Sequence, residues 1–150
     1  MKLERLYESL PYGPGMRLID ELVVWDARSI NCRSNSHHSP DNPLRCSNSL
    51  PSLCALEYAA QCLALHGLLQ ASSIYYRLVA IVATSSRLEC EDLDISLLPG
   101  PLDIHATWAE QAGPLVRYQI AVTASDRMIL SGDLGVLLPG DDDSGFPLHS

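Results

Sequence analysis

The period of apolar residues changes twice along this chain. From Leu50 to Leu69 the apolar positions leave only a narrow polar stripe: Leu53, Leu56, Ala60 and Leu63, with Leu65 and Leu68 on the outer side. This spacing predicts a helix of about five turns, buried on nearly every side. Its small residues, Ala55, Ala59, Ala60 and Ala64, let a sheet approach closely. Ser49 is the expected N-cap, and Pro51 suits the first turn. On either side the pattern is that of strands. Met16–Asp26 predicts a first strand and Ala27–Ser36 a second. After the helix, Tyr75–Cys90, Leu102–Gln111, Leu115–Ala124 and Met128–Leu138 predict four more, and Val116, Tyr118, Ile120 and Val122 share one face. Gly113–Pro114 and Ser125–Asp126–Arg127 read as turns, Leu10–Gly15 as a turn-rich opening, and His37–Ser49 as a polar loop. Short turns make antiparallel neighbours. The expected architecture is therefore α+β, one antiparallel sheet curled around one buried helix, over residues 1–138. Residues 139–150 are expected to form a mobile tail. A dimer joining two sheets edge to edge would cover the exposed edges.

Composition narrows the function classes. The chain has 150 residues and a formal net charge of −8, with a pI of about 4.9. Such a balance argues against a nucleic-acid binder, which needs a basic face. No apolar run is expected to reach the roughly 18 residues that span a bilayer. Glu4 and Glu8 follow closely on Lys2, unlike a secretory signal, so the expected location is cytoplasmic. The five cysteines (Cys32, Cys46, Cys54, Cys62, Cys90) form no C-x-x-C pair. They read as small hydrophobes in a reducing compartment, with no metal expected.

The candidate chemistry centres on Glu57, a carboxylate within the apolar helix. Burial holds such a group protonated unless it is paired, and a neutral acid in an apolar setting can act as a general acid. The loop just upstream carries His37 and His38. A histidine and a buried glutamate brought together make a proton-transfer site. The plain alternatives are a structurally satisfied acid and a solvated histidine pair. Adjacent imidazoles rarely converge on one ion, so the pair does not suggest a metal site. Gln61 lies one turn beyond Glu57 on the same face, where it either orients or satisfies the acid. His66 lies about half a helical turn round from Glu57.

These residues carry a resemblance. Leu10–Pro11 followed by Met16–Arg17–Leu18–Ile19–Asp20 is similar to the opening of the hot-dog-fold β-hydroxyacyl-(acyl carrier protein) dehydratases. There, Leu-Pro-His leads into an apolar strand ending in Asp. Leu50–Pro51 through Glu57 to Gln61 resembles the same family's Met-Pro-Gly, apolar residues, Glu, apolar residues, Gln, without a gap. Asp41–Asn42–Pro43–Leu44–Arg45 looks closer to a divergent branch associated with aryl polyene and related pigments.

The resemblance implies a hot-dog fold and a dehydration mechanism. A His and an acid from different subunits of a dimer share each site. The His takes a proton at C2 of the acyl chain, the acid protonates the departing C3 hydroxyl, and a trans-enoyl thioester remains. Glu57 falls on the position of the acid. The thioester carbonyl would take helix N-terminal N–H groups around Leu53 and Cys54. The family's histidine stands eight residues before the helix-opening proline, where this chain has Pro43. His38–Ser39–Pro40 keeps the His-x-Pro spacing, while His37 matches the Ser-His pair of the divergent branch, so both stay open. No resident cofactor is implied, because the acyl group arrives on the phosphopantetheine arm of an acyl carrier protein or on coenzyme A. The partner is a second hot-dog subunit, identical or different. Three functions follow: an active dehydratase, a non-catalytic hot-dog subunit that completes another's tunnel, or a thioesterase with Glu57 activating water.

Overall fold

The computed structural model of the chain describes residues 2–70 and 81–137. It contains two helices, α1 (Leu3–Glu8) and α2 (Ala55–Gln70), and six strands. These are β1 (Glu21–Trp25), β2 (Ser29–Ser34), β3 (Ile81–Cys90), β4 (Leu102–Ala112), β5 (Leu115–Ala124) and β6 (Arg127–Leu137). All six form one sheet in the order β1-β2-β4-β5-β6-β3, and every neighbouring pair is antiparallel. The expected α+β hot-dog architecture is present, with α2 packed against β2, β4, β5 and β6. The expected tail, 139–150, and the first part of the expected third strand, 75–80, lie outside the described residues.

Strand alternation places the core. On β5, Val116, Tyr118, Ile120, Val122 and Ala124 are all buried, the face expected from the pattern. They meet Ala55, Tyr58, Ala59, Cys62, Leu63 and Leu65 of α2 in one apolar cluster. The β5–β6 turn is a two-residue hairpin at Ser125 and Asp126, both with positive φ (50° and 65°), which suits the right-handed twist of the strands. Gly132 in β6 faces the irregular part of β3, where a Cβ would lie 3.0 Å from the Leu88 Cα and 2.6 Å from its side chain. Only glycine lets the two backbones approach this closely.

The first strand is shorter than expected, because side chains take up its early backbone groups. The amide of Gln61, fully buried on α2, accepts from Leu18 N (3.0 Å) and the Tyr7 hydroxyl (2.6 Å), and donates to Met16 O (2.7 Å). The Tyr7 oxygen accepts in turn from Ile19 N (3.0 Å). Residues 16–19 are therefore pinned to the helix, and pairing with β2 as a strand begins only at Glu21. Tyr7 belongs to α1, a short helix that the alternation pattern did not predict. At the next turn Asp26 accepts from Arg28 N and Ser29 N (2.8 Å each), which delays β2 to Ser29.

The helix start also differs. Ser49 does not cap it: its hydroxyl donates back to Cys46 O. Instead Leu50–Ser52 runs alongside Leu93–Ile95. Ser52 N donates to Leu93 O (3.0 Å), Ile95 N to Leu50 O (2.9 Å), and Leu50 N to the Asp94 carboxylate (2.9 Å). A 3-10 turn over Ser52–Cys54 then leads into α2. By length and composition alone, Ser52–Gln70 is apolar enough to cross a membrane, contrary to the sequence expectation. Here 56% of that span is buried, including Tyr58, Ala59, Cys62, Leu63 and Leu65. Leu53 is exposed and Leu56, Leu68 and Leu69 are only partly covered, so the helix is buried on one side rather than on nearly every side. The cysteine reading holds for Cys32 and Cys62, buried with their sulfurs 3.4 Å apart, whereas Cys46 and Cys90 are exposed.

Replacing Gln61 by Leu keeps the volume but orphans the Tyr7 hydroxyl, Leu18 N and Met16 O. The expected loss of unfolding free energy in urea is about 3 kcal/mol. A loss below about 1 kcal/mol would mean that the segment before β1 is held by other contacts.

Candidate functional site

The polar loop between β2 and α2 opens on a 3-10 turn, Ser36–His38. The turn ends where Ser39 N donates to Ser36 O (3.1 Å), and Asn42 stitches the following residues to it. The Asn42 amide donates to Ser36 O (2.9 Å) and accepts from Leu44 N (2.8 Å). This geometry sets the two histidines apart. His37 is fully buried and His38 is exposed, although their rings lie 3.8 Å apart. Both turn Nε2 toward one acceptor, the Leu98 carbonyl, His37 at 3.3 Å and His38 at 2.6 Å.

A carbonyl only accepts, so these contacts set both rings as Nε2–H tautomers, with the lone pair on Nδ1. The His37 Nδ1 is buried and has no partner among the described residues. Burial holds His37 neutral and lowers its pKa to about 4, with His38 adding to the effect and the Leu98 carbonyl opposing it. An unpartnered lone pair on a neutral imidazole is the equipment of a base.

Glu57 stands in the first turn of α2, half-buried. It lines an apolar groove of about 300 Å³ with Leu44, Leu53, Cys54, Leu56 and Ala60. Desolvation raises its carboxyl pKa, opposed by a hydrogen bond from Gln61. Gln61 is thus mainly the clamp on residues 16–18 described above, and touches the acid secondarily. Tyr12, which alternation did not single out, lies close enough to Glu57 to feel its charge. Burial, with that charge added, pushes its phenol up to about 12. It stands third in the Leu10–Pro11–Tyr12 opening, which was the one signal in the sequence for it.

Of the two expected amide donors, Cys54 N is already committed to the Pro51 carbonyl at 2.9 Å. Leu53 is 56% exposed on the groove wall. The Cys54 thiol points to Leu44 O. His66 is buried on the far side of α2, with Nε2 2.8 Å from Asp26 O and Nδ1 2.7 Å from the Tyr118 hydroxyl. Both of its nitrogens are engaged, a structural role. Among the described residues no three His, Cys, Asp or Glu side chains gather as metal ligands, and no contact joins Glu57 to His37 or His38.

Comparisons with known proteins bear on this arrangement. The family model ApeP-like, described as ApeP dehydratase, matches residues 4–146. No curated protein sequence matches the chain. Among solved structures, the dehydratase heterocomplex ApeI:P from Xenorhabdus doucetiae superposes with a TM-score of 0.72 at 15% identity, covering 91% of each chain. A hypothetical thioesterase with coenzyme A from Streptococcus pneumoniae gives 0.64 at 9% identity, covering 93% of this chain and 98% of that one. The Escherichia coli PaaI protein from the phenylacetic acid degradation operon gives 0.56 at 13% identity, covering 78% and 81%. At these identities the likeness is one of fold.

A histidine buried neutral takes up its proton less readily folded than unfolded. Its contribution to stability is therefore full above about 6.5 and is lost as pH falls toward about 4. Between pH 7 and pH 4, His37→Gln should lose less unfolding free energy than the wild type, by on the order of 3 kcal/mol in urea titrations. Equal losses in both proteins would show that the His37 site opens to water.

Proposed function

The chain belongs to the ApeP-like dehydratase family, and from that premise we propose that it dehydrates β-hydroxyacyl thioesters to trans-2-enoyl thioesters, with Glu57 as the acid. The observation that carries this reading is a carboxyl on the wall of an apolar groove whose proton desolvation makes harder to lose. Such a proton is available to a leaving hydroxyl. His37 is the favoured base, because its Nδ1 lone pair is unpartnered and its ring neutral. The base takes the C2 proton, the C2–H electron pair becomes the C2–C3 double bond, and the C3 hydroxyl leaves as water with the proton of Glu57. His38, exposed beside it, is the second candidate.

Among the described residues no electrostatic interaction links Glu57 with His37 or His38, and the reading has each site built from two hot-dog subunits. The similar Xenorhabdus structure, a dehydratase heterocomplex, supports a second subunit of a different kind. In that arrangement this chain lends Glu57 to one site and its histidine turn to the other. The thioesterase alternative draws on the coenzyme A-bound Streptococcus structure. Glu57 disfavours it: activating water takes a carboxylate, and this carboxyl is held toward the acid form.

Charge bears on the carrier of the acyl group. Arg117 is paired with Glu110 (2.6 Å) and Asp133 (2.9 Å), and Arg127 with Glu91. These arginines are already neutralised, which weakens the case for an acidic carrier protein docking on this chain alone.

Turnover of a short β-hydroxyacyl thioester, on carrier protein and on coenzyme A, tests the reading with the chain alone and with an ApeI-type subunit. Glu57→Gln and His37→Ala should each lower kcat by about a hundredfold or more, and His38→Ala by less than about tenfold. Full activity in Glu57→Gln would refute the assignment of the acid. Release of free thiol without enoyl product would favour the thioesterase.

A further inference from the structure

The loop that carries His37 is tied to α2 by a chain of hydroxyl and amide groups whose direction can be worked out. The Ser36 hydroxyl lies 2.8 Å from Leu18 O, and a carbonyl only accepts, so Ser36 donates its one hydrogen there. In the 2.7 Å contact between Ser36 Oγ and Tyr58 Oη, Tyr58 is then the donor. The Tyr58 oxygen accepts from Asn42 Nδ2 at 3.0 Å. The run is Asn42 N–H to Tyr58 O–H to Ser36 O–H to Leu18 C=O. It spans the loop, the helix and the segment before β1. Asn42 closes it by giving its amide also to Ser36 O (2.9 Å). Tyr58 is fully buried and Asn42 is 6% exposed.

We propose that Tyr58, Asn42 and Ser36 are positioning residues that hold the His37 ring in its buried, Nδ1-free orientation. The proposal rests on the dehydratase reading of His37 and Glu57. Tyr58 directly follows Glu57, and Ser36 directly precedes His37. Successive helix residues diverge by about 100°, so anchoring Tyr58 on the turn also sets where Glu57 points. Packing alone does not call for the hydroxyls. A Phe would fill the Tyr58 site equally well without a buried polar atom to satisfy. Cutting the Tyr58 link removes the turn's tie to α2 and leaves it held by Ser34, Leu18 O, Asn42 and the backbone around Leu98 and Gly100. Misplacing a base by about 1 Å costs up to a hundredfold in rate.

The test uses Tyr58→Phe and Ser36→Ala, each removing one hydroxyl, with Ser36→Thr as the conservative rescue. Two readouts are taken: NMR titration of the His37 ring, and kcat and KM with the partner subunit present. The titratable groups facing the ring are His38 and Asp20, and all variants leave them unchanged. In folded Tyr58→Phe and Ser36→Ala, the His37 pKa should move from about 4 back toward 6.5 as water reaches the loosened turn. kcat should fall by about tenfold to a hundredfold with KM within about twofold, and Ser36→Thr should restore both. Folded variants with an unmoved His37 titration would overturn the proposal, whatever their rates. If the wild type turns over no β-hydroxyacyl thioester, the dehydratase reading fails separately. The titration alone then decides: a moved His37 sustains the positioning chain and an unmoved one overturns it.

Discussion

A helix that buries an apolar side against a sheet must find a partner there for each polar group it buries. That constraint organises this fold. Helix α2 carries Glu57, Tyr58, Gln61 and His66 within four turns or so. Gln61 captures residues 16–18 and Tyr7, and so brings the N-terminal segment onto the helix. Tyr58 captures the histidine loop. His66 captures the β1–β2 turn and β5. Three of the four are satisfied by building a separate wall of the domain. Glu57 alone faces an open groove, with one hydrogen bond from Gln61 against its desolvation. Of these four side chains Glu57 is the one left facing the groove, and desolvation shifts it toward its acid form.

The same constraint explains what could be read from the sequence and what could not. Alternation in β4, β5 and β6 is local information, and those strands start and stop within a residue or so of the pattern. The helix was legible because an apolar run of that length has few other solutions. The edges failed where side chains overrode the backbone pattern. Residues 16–20 look like strand, but their amides and carbonyls are taken by Gln61 and Tyr7, which are distant in sequence. Ser49 looks like a cap, but Asp94, 44 residues further on, provides the bond at Leu50. Long-range side-chain to backbone contacts leave no periodic trace.

The site was legible in a different way. Glu57 stood out because a carboxyl in an apolar helix is improbable without a reason. The histidines stood out by resemblance, and sequence could not separate them. Burial does. Two adjacent residues in a tight turn reach the same carbonyl, but one is sealed and the other is in water. That difference depends on the path of the loop, which Asn42 ties from within and Tyr58 contacts from α2.

The proposed division of labour between subunits accords with the opposite shifts of the two groups. Were acid and base in contact within one chain, they would exchange a proton, and the pair would settle as carboxylate and imidazolium, useless for an elimination that needs both neutral. Without such contact, burial is the largest influence on each. Desolvation pushes both toward their neutral forms, raising the carboxyl of Glu57 and lowering the imidazole of His37. One physical cause thus shifts both groups in the directions that the proposed acid and base roles require. In the proposed site a substrate lies between the two, and a second subunit is the simplest way to bring them to that distance.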